Sequence, residues 1–274
     1  MISSSNNKVA QPTLRPANPP GMPPCIHLIG IGVTYCSLQG PVQALTQVSL
    51  DIQEGEFVAF LGPTGCGKST LLHVICDLTQ PSEGEVEVHG QAAHVARQQN
   101  EFGFVFQEPA LLPWRTALGN IHLPLEVVGY SADKRTDRCE DLLELVGLLG
   151  FKNSYPHELS GGMKQKVAIA RALAWGPPIL LMDEPFSALD ELTRNRLQED
   201  LLSLWAVEHK TIVFVTHNIS EAVYLADRIA VMSARPGRVN SILPVRLPRP
   251  RRPEMRETLE FVEHVRAARE VLQQ

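Results

Sequence analysis

The chain has 274 residues, of which 44% are hydrophobic, 20% charged and 6% aromatic. A chain of this size can bury a full core in one or two domains, and its composition excludes a disordered or collagen-like protein. It contains no run of 18 apolar residues, which excludes a transmembrane helix, and the N-terminus lacks a signal-peptide pattern. We therefore expect a protein of the cytosol.

Net charge and cysteine content further narrow the possible classes of protein. The net charge is -5 and the pI is near 6.0, which argues against a general nucleic-acid binder. Residues 235–274 nevertheless hold nine arginines against five glutamates. The five cysteines are scattered, and we interpret them as free thiols rather than zinc ligands or disulfides.

The first part of the chain begins with a segment rich in Ser, Asn and Pro and continues into strands. Residues 1–24 lack apolar periodicity, which predicts a disordered lead-in. Strands are predicted at Ile26–Tyr35, Ala44–Ile52 and Phe57–Leu61. The third run is short and apolar and ends in a glycine-rich loop, as does a buried parallel strand that feeds a helix.

The middle of the chain, at about residues 108–175, is expected to be helical. One helix is predicted over Asp137–Leu148, and Pro156 ends the pattern. A second helix is predicted after Gly161, with Ser160 as its N-cap. Apolar residues at helical spacing in the first of these are Leu142, Leu145, Val146 and Leu149.

The last part of the chain returns to strands. They are predicted at Ile179–Met182, Thr211–Thr216 and Arg228–Met232, with a helix over Glu221–Ala226. This alternation of strands and helices predicts an α/β core with a largely parallel sheet.

The sharpest motif lies between the strand Phe57–Leu61 and an apolar helix. Its residues are Gly62, Pro63, Thr64, Gly65, Cys66, Gly67, Lys68, Ser69 and Thr70. The pattern predicts a phosphate-binding P-loop, because glycines let backbone N–H groups converge on phosphate oxygens at the start of a helix. Lys68 is expected to reach the β- and γ-phosphates and Ser69 to bind Mg²⁺. An ordinary glycine-rich turn is the alternative.

Two carboxylates follow the strand Ile179–Met182, at the sheet edge where open α/β sheets bind ligands. Asp183 is expected to hold Mg²⁺, and Glu184 to act as general base on the attacking water. A strand that simply ends in a solvated acid would look the same, and the P-loop is what favours the catalytic interpretation.

Adjacent glycines behind a serine form a second candidate anion surface. Ser160, Gly161 and Gly162 open a predicted helix, where free N–H groups attract anions. They are either a plain helix cap or a surface that binds the nucleotide held by another copy of the protein.

The chain resembles the ATP-binding subunit of an ABC transporter over about residues 26–250. The P-loop, the helix start at Ser160–Gly162 and the acid pair Asp183–Glu184 follow one another in the order typical of that family. The resemblance implies a P-loop NTPase core with a mainly parallel sheet, an N-terminal antiparallel β subdomain and an inserted helical subdomain. It implies an ATPase domain over residues 25–245, followed by an Arg/Pro-rich linker and C-terminal helix over residues 246–274. It also implies ATP and Mg²⁺ as cofactors.

The resemblance implies partners as well. In the family, two ATP-binding subunits enclose two ATP molecules head to tail beneath a transmembrane permease, and a solute-binding protein acts indirectly. No nucleic acid is involved. The chain is then expected to lie peripherally at the cytoplasmic face of the inner membrane.

Four further residues take roles from the resemblance. Gln107 matches the Q-loop glutamine, which would contact Mg²⁺ and the reacting water, and His217 matches the switch histidine, which would contact the γ-phosphate. Asp190 matches the aspartate of the loop that crosses the dimer interface. Tyr35 lies where the family places an adenine-stacking aromatic. Each of Gln107 and His217 could alone be a plain polar loop residue, and Tyr35 a half-buried strand tyrosine.

A narrower resemblance is visible at residues 110–115, 221–228 and 233–239. They resemble the nitrate/sulfonate/taurine importer branch, so we expect uptake of a small anionic solute, with a thiamine precursor or bicarbonate as the alternative. Trp114 is expected to contact the permease, although a hydrophobic loop anchor is the other interpretation.

Two other functions are disfavoured. A non-transport ABC ATPase is disfavoured by the single cassette and the lack of a coiled-coil insertion, and a non-hydrolytic scaffold by the presence of Glu184 and His217.

The tail from Leu247 to Pro253 is expected to be a solvated linker before a helix over Glu254–Leu272. A strip that binds the permease or anionic lipid is its alternative.

Overall fold

The computed structural model describes residues 23–38 and 40–273, apart from the side chains of residues 132–134. The predicted disordered lead-in therefore lies outside the described residues, except for residues 23 and 24. Within the described residues the strands are β1 (Ile26–Ser37), β2 (Gly40–Ile52), β3 (Phe57–Leu61), β4 (Glu83–Val88), β5 (Gln91–Ala92), β6 (Phe102–Val105), β7 (Ile179–Asp183), β8 (Thr211–Thr216), β9 (Arg228–Met232) and β10 (Val239–Pro244). The α-helices are α1 (Lys68–Ile75), α2 (Ala93–Gln98), α3 (Ala117–Val128), α4 (Ala132–Leu145), α5 (Gly161–Leu173), α6 (Glu191–Glu208), α7 (Ile219–Leu225) and α8 (Leu259–Leu272).

The N-terminal sheet is antiparallel, with strand order β2-β1-β4-β5. The pairing of β1 with β2 runs from Ile26 opposite Ile52 to Ser37 opposite Gly40, so the two strands form one long hairpin. The predicted N-terminal antiparallel β subdomain is confirmed.

The second sheet has six strands in the order β10-β9-β3-β8-β7-β6. The strands from β9 to β6 are parallel, and β10 joins antiparallel to β9. Every residue of β3, β7 and β8 is buried, as expected where helices or a second sheet cover both faces of a parallel sheet. The loops after β3, β8, β7 and β6 therefore emerge side by side at one edge, and these loops carry the predicted site residues.

Three helices, α3, α4 and α5, pack on one another between β6 and β7 in the chain. The predicted inserted helical subdomain is confirmed, but the helix predicted over Asp137–Leu148 has the wrong limits, because α4 runs from Ala132 to Leu145. Helix α4 ends at Leu145, because Gly147 turns the chain with a φ of 69°. Leu142 is buried there, whereas Leu145 and Leu149 are about 40% exposed.

The arginine-rich tail packs against the body of the protein, so the prediction of a solvated linker is wrong. Arg251 is only 7% exposed and donates hydrogen bonds to main-chain carbonyl oxygens at the end of α7. Arg249 pairs with Asp227. Neither residue is therefore available as a strip for the permease or anionic lipid.

The predicted C-terminal helix is divided into two pieces. Residues Pro253–Glu257 form a short 3₁₀ helix, and α8 begins only at Leu259. The side chain of Thr258 accepts a hydrogen bond from the Phe261 amide and so caps α8. A new N-cap inside the predicted helix explains the division.

The five cysteines are free, and four of them are buried. Among residues 23–38 and 40–273, no helix combines the length and apolar character needed to cross a bilayer.

Candidate nucleotide-binding site

The glycine-rich loop after β3 adopts a conformation that requires glycine. Gly65 and Gly67 have φ values of 79° and 97°, in the left-handed region. A Cβ on Gly67 would lie 2.8 Å from the carbonyl oxygen of Ala44. The loop therefore lies tightly against β2, and α1 begins directly after it at Lys68.

Lys68 lies inside the loop, with only 4% of its surface exposed. Its ammonium donates to the carbonyl oxygens of Gly62 and Pro63 at 2.9 Å each and lies 3.6 Å from a carboxylate oxygen of Glu184. These contacts fix a buried cation at the centre of the loop, where a phosphate would meet it.

Ser69 and Asp183 meet where β7 approaches α1. The Ser69 hydroxyl donates to the Asp183 carboxylate at 2.9 Å. Burial raises the pKa of the Asp183 carboxyl, and the hydrogen bond from Ser69 opposes that rise. Two hard oxygen ligands in contact fit Mg²⁺, which commonly takes one or two protein oxygens besides phosphate oxygens and water. Among the residues that the structure describes, no group of three or more His, Cys, Asp or Glu side chains is placed to hold a metal ion.

Glu184 lies between a cation and a histidine. One of its carboxylate oxygens faces Lys68, and the other accepts a hydrogen bond from Nδ1 of His217 at 2.9 Å. Its own backbone N–H donates to the carbonyl oxygen of Val215 on the neighbouring strand. The carboxylate is thereby held at the sheet edge, as a general base requires.

Gln107 is linked to Glu184 through Ser187. The Gln107 amide donates to the Ser187 hydroxyl at 3.4 Å, and that hydroxyl donates to the Glu184 carbonyl oxygen at 3.0 Å. No separate role for Ser187 is predicted from the sequence, because a serine four residues after a strand carries no specific signal.

Tyr35 forms one wall of the same open pocket. Its side chain is 42% exposed, and its hydroxyl lies 3.5 Å from that of Thr70. The pocket joins residues from six segments, which are Tyr35, Val42, Ala44, Thr64, Gly65, Gly67, Lys68, Ser69, Thr70, Gln107, Glu184 and Arg235. Arg235 was not predicted here, since it lies far along the chain from the P-loop.

The second candidate anion surface lies apart from this pocket. Ser160 caps α5 by accepting a hydrogen bond from the Met163 amide, and Asp190 caps α6 by accepting one from Thr193. These bonds from Thr193 hold the pKa of Asp190 below its usual range. A Cβ on Gly162 would lie 2.4 Å from the Thr193 methyl carbon, so the two helix N-termini are packed together. The described lining of the P-loop pocket includes none of Ser160, Gly161, Gly162 and Asp190.

A P-loop after β3, an acid pair at the end of β7 and an inserted helical subdomain define a nucleotide-hydrolysing cassette. Residues 45–187 match the ABC transporter family, and the chain belongs to it. The chain is accordingly an ATP-binding subunit with ATPase activity.

Similar proteins agree with this assignment. The aliphatic sulfonates import ATP-binding protein SsuB of Bacillus cereus is 42% identical over 91% of this chain and 95% of its own length. An uncharacterized ABC transporter ATP-binding protein of Methanocaldococcus jannaschii is 48% identical over 81% of this chain and 82% of its own. A dimeric ATP-binding cassette solved in a post-hydrolysis state with ADP and Pi is 38% identical, with a TM-score of 0.73 over 81% of this chain and 100% of that one.

Proposed function

We propose that the chain is the ATP-hydrolysing subunit of an importer for a small anionic solute, and that this solute is an aliphatic sulfonate. The support is the similarity to sulfonate import ATP-binding proteins, one of which aligns over nearly its full length. The solute itself would be bound by the permease and a solute-binding protein, so this chain contributes the energy-coupling step.

The contact of Glu184 with both Lys68 and His217 carries the hydrolytic part of the proposal. The P-loop amides and Lys68 bind the phosphates, and Glu184 takes a proton from the attacking water. His217 holds the Glu184 carboxylate and would contact the terminal phosphate. Ser69, Asp183 and Gln107 would hold Mg²⁺, which supplies positive charge to neutralise phosphate oxygens.

The active site is shared between two copies of the ATP-binding subunit. Ser160, Gly161 and Gly162 lie at the N-terminus of α5 and Asp190 at that of α6, where backbone N–H groups favour an anion. Because these four residues lie outside the chain's own pocket, the anion that they bind is the nucleotide held by the partner subunit. Two structural neighbours at 38% identity are dimeric cassettes.

The loop from Gln107 to Thr116 docks on the permease. Trp114 in this loop is 70% exposed, and an exposed aromatic side chain is suited to a protein interface. This contact would hold the chain peripherally at the cytoplasmic face of the membrane.

The proposed division into an ATPase domain at residues 25–245 and a tail at residues 246–274 describes the sequence and not two separate cores. Residues of the tail, including Phe261, belong to the main hydrophobic core.

An uptake measurement tests the solute. The chain is expressed with its permease and solute-binding protein in a host that cannot import sulfonates, and the uptake of labelled ethanesulfonate, taurine, nitrate and bicarbonate is compared. We expect ethanesulfonate uptake with the wild-type chain and none with Glu184→Gln. Nitrate or bicarbonate uptake without sulfonate uptake would overturn the solute assignment but leave the ATPase assignment intact.

A further inference from the structure

A segment near the end of the sheet packs directly on the P-loop. The Gly237 N–H donates to the Ala44 carbonyl oxygen, and the Thr46 N–H donates to the Gly237 carbonyl oxygen, both at 2.9 Å. A Cβ on Gly237 would lie 1.9 Å from the carbonyl oxygen of Cys66. The backbone after β9 is therefore fixed against both β2 and the phosphate-binding loop.

This packing places Arg235 in the nucleotide pocket. Its Nε donates to the Gly65 carbonyl oxygen at 2.8 Å, and its side chain lines the same pocket as Tyr35, Lys68 and Ser69. Among the described residues, no carboxylate lies within ion-pairing distance of Arg235. Its two terminal nitrogens are thus available to a ligand.

The charges around the pocket call for another cation. The charge of Lys68 is offset by Glu184 at 3.6 Å, and Asp183 adds a second acid. A nucleotide brings several negative charges to this place, and a guanidinium is suited to phosphate because it presents paired donors in one plane. Arg235 is the cation of the pocket without an acidic partner among the described residues.

The geometry points to Arg235 as a second cationic contact for the phosphate chain of the nucleotide, beside Lys68. The Nε bond to Gly65 orients the guanidinium, and the terminal nitrogens bind phosphate oxygen. This inference rests on the proposed nucleotide site and adds a residue from outside its recognised motifs.

The test compares ATP affinity in two matched variants, Arg235→Gln and Arg238→Gln. Glutamine can still donate to the Gly65 carbonyl but carries no charge. Arg238 is exposed on the same segment, and its Nε donates to Asn240, outside the pocket. Dissociation constants are measured by isothermal titration calorimetry at about 30 mM and about 0.5 M salt, because salt screening weakens a contact between charges but not an uncharged hydrogen bond.

We expect Arg235→Gln to raise the ATP dissociation constant about tenfold at low salt, as for the loss of a charge-assisted hydrogen bond, and less at high salt. Arg238→Gln should remain within about twofold of wild type. An Arg235→Gln affinity equal to that of Arg238→Gln, or a loss that salt does not change, would overturn the inference. Failure of the wild-type chain to bind ATP would instead overturn the nucleotide site itself, so the two failures are distinguishable.

Discussion

Glu184 has a backbone conformation that residues other than glycine rarely adopt, with a φ of 43°. Such a conformation costs about 1–3 kcal/mol and persists only where surrounding contacts hold it. Here the contacts are the amide bond to Val215 and the side-chain contacts with Lys68 and His217. This strain at the sheet edge is consistent with a residue positioned for chemistry.

Replacing Glu184 by glutamine should separate binding from hydrolysis. Glutamine keeps the size of the side chain but cannot take a proton from water, so phosphate release should fall by about 10²-fold or more. ATP affinity should be preserved, whereas Lys68→Ala should weaken it. Phosphate release and nucleotide binding are measured on the same purified samples, and full hydrolysis in Glu184→Gln would refute the base assignment.

Gly237 is predicted to be intolerant of any side chain. The Cβ of Gly237→Ala would meet the Cys66 carbonyl oxygen at 1.9 Å, so the P-loop or the segment must shift. We expect a loss of about 1–3 kcal/mol in the free energy of unfolding, measured by urea titration. Gly150→Ala is the control, because a Cβ there meets no atom within 4 Å. Equal stability of the two variants would contradict the packing described.

At the scale of elements, Arg251 completes helix α7. Its guanidinium donates to the carbonyl oxygens of Val223, Tyr224 and Ala226 at 2.8–3.0 Å. Burial lowers the pKa of Arg251 to about 9, so the side chain is still charged at neutral pH. A helix end whose last carbonyls are buried needs donors of this kind.

Removing these donors should destabilise the protein. Arg251→Met keeps much of the side-chain bulk but leaves buried carbonyls unpaired, which should cost about 2 kcal/mol or more in unfolding free energy. Arg252→Met is the matched control, because Arg252 is exposed. If both variants unfold at the same urea concentration, Arg251 does not support α7.

The elements differ in how well local patterns predict them. Strands β3, β7 and β8 were predicted nearly to the residue, because apolar runs bounded by turn residues are typical of buried parallel strands. The end of α4 was missed because the apolar spacing continues past the glycine that stops the helix. The burial of Arg251 was missed because its partners lie about 25 residues away in the chain, and a cluster of arginine and proline usually indicates solvent exposure.

Local sequence patterns also predict some residues of the nucleotide-binding site better than others. The P-loop, Asp183 and Glu184 have local motifs, and the structure brings them together with Gln107 and His217. Arg235 enters the pocket only because β9 lies beside β3 in the sheet, which local spacing does not reveal. Long-range strand order is thus the information that the sequence patterns lacked.

At the scale of the whole molecule, two inactive variants should restore activity when mixed. Lys68→Ala disables the P-loop, and Gly161→Glu places a charge on the surface proposed to face the partner's nucleotide. Gly161 suits this test because the nearest atom to its Cβ position is 3.8 Å away, whereas a substitution at Gly162 would collide with Thr193. A mixed dimer keeps one intact site, so an equal mixture should recover about a quarter of wild-type hydrolysis.

This result is checked by phosphate release before and after mixing. Each variant alone should be nearly inactive, and the recovered rate should fall on dilution as dimers dissociate. Full activity of Gly161→Glu alone, or a wild-type rate that stays linear in protein at high dilution, would rule out a shared site.

Permease docking gives the second prediction at this scale. Trp114→Ala should reduce co-purification with the permease, because a buried interface aromatic can contribute on the order of 2 kcal/mol or more to association. ATP affinity of the isolated chain should be unchanged, since Trp114 does not line the pocket described. Undiminished co-purification would exclude this loop as the docking surface.

The hydrogen bonds from Arg251 in the tail to α7 determine how far the chain can be shortened at its C-terminus. Truncation after residue 245 would remove the donors at the end of α7 together with Leu247 and Phe261, which cover the core. Since α7 begins two residues after His217, the loss would reach the catalytic edge. A chain shortened at that point would need other donors for the last carbonyl groups of α7.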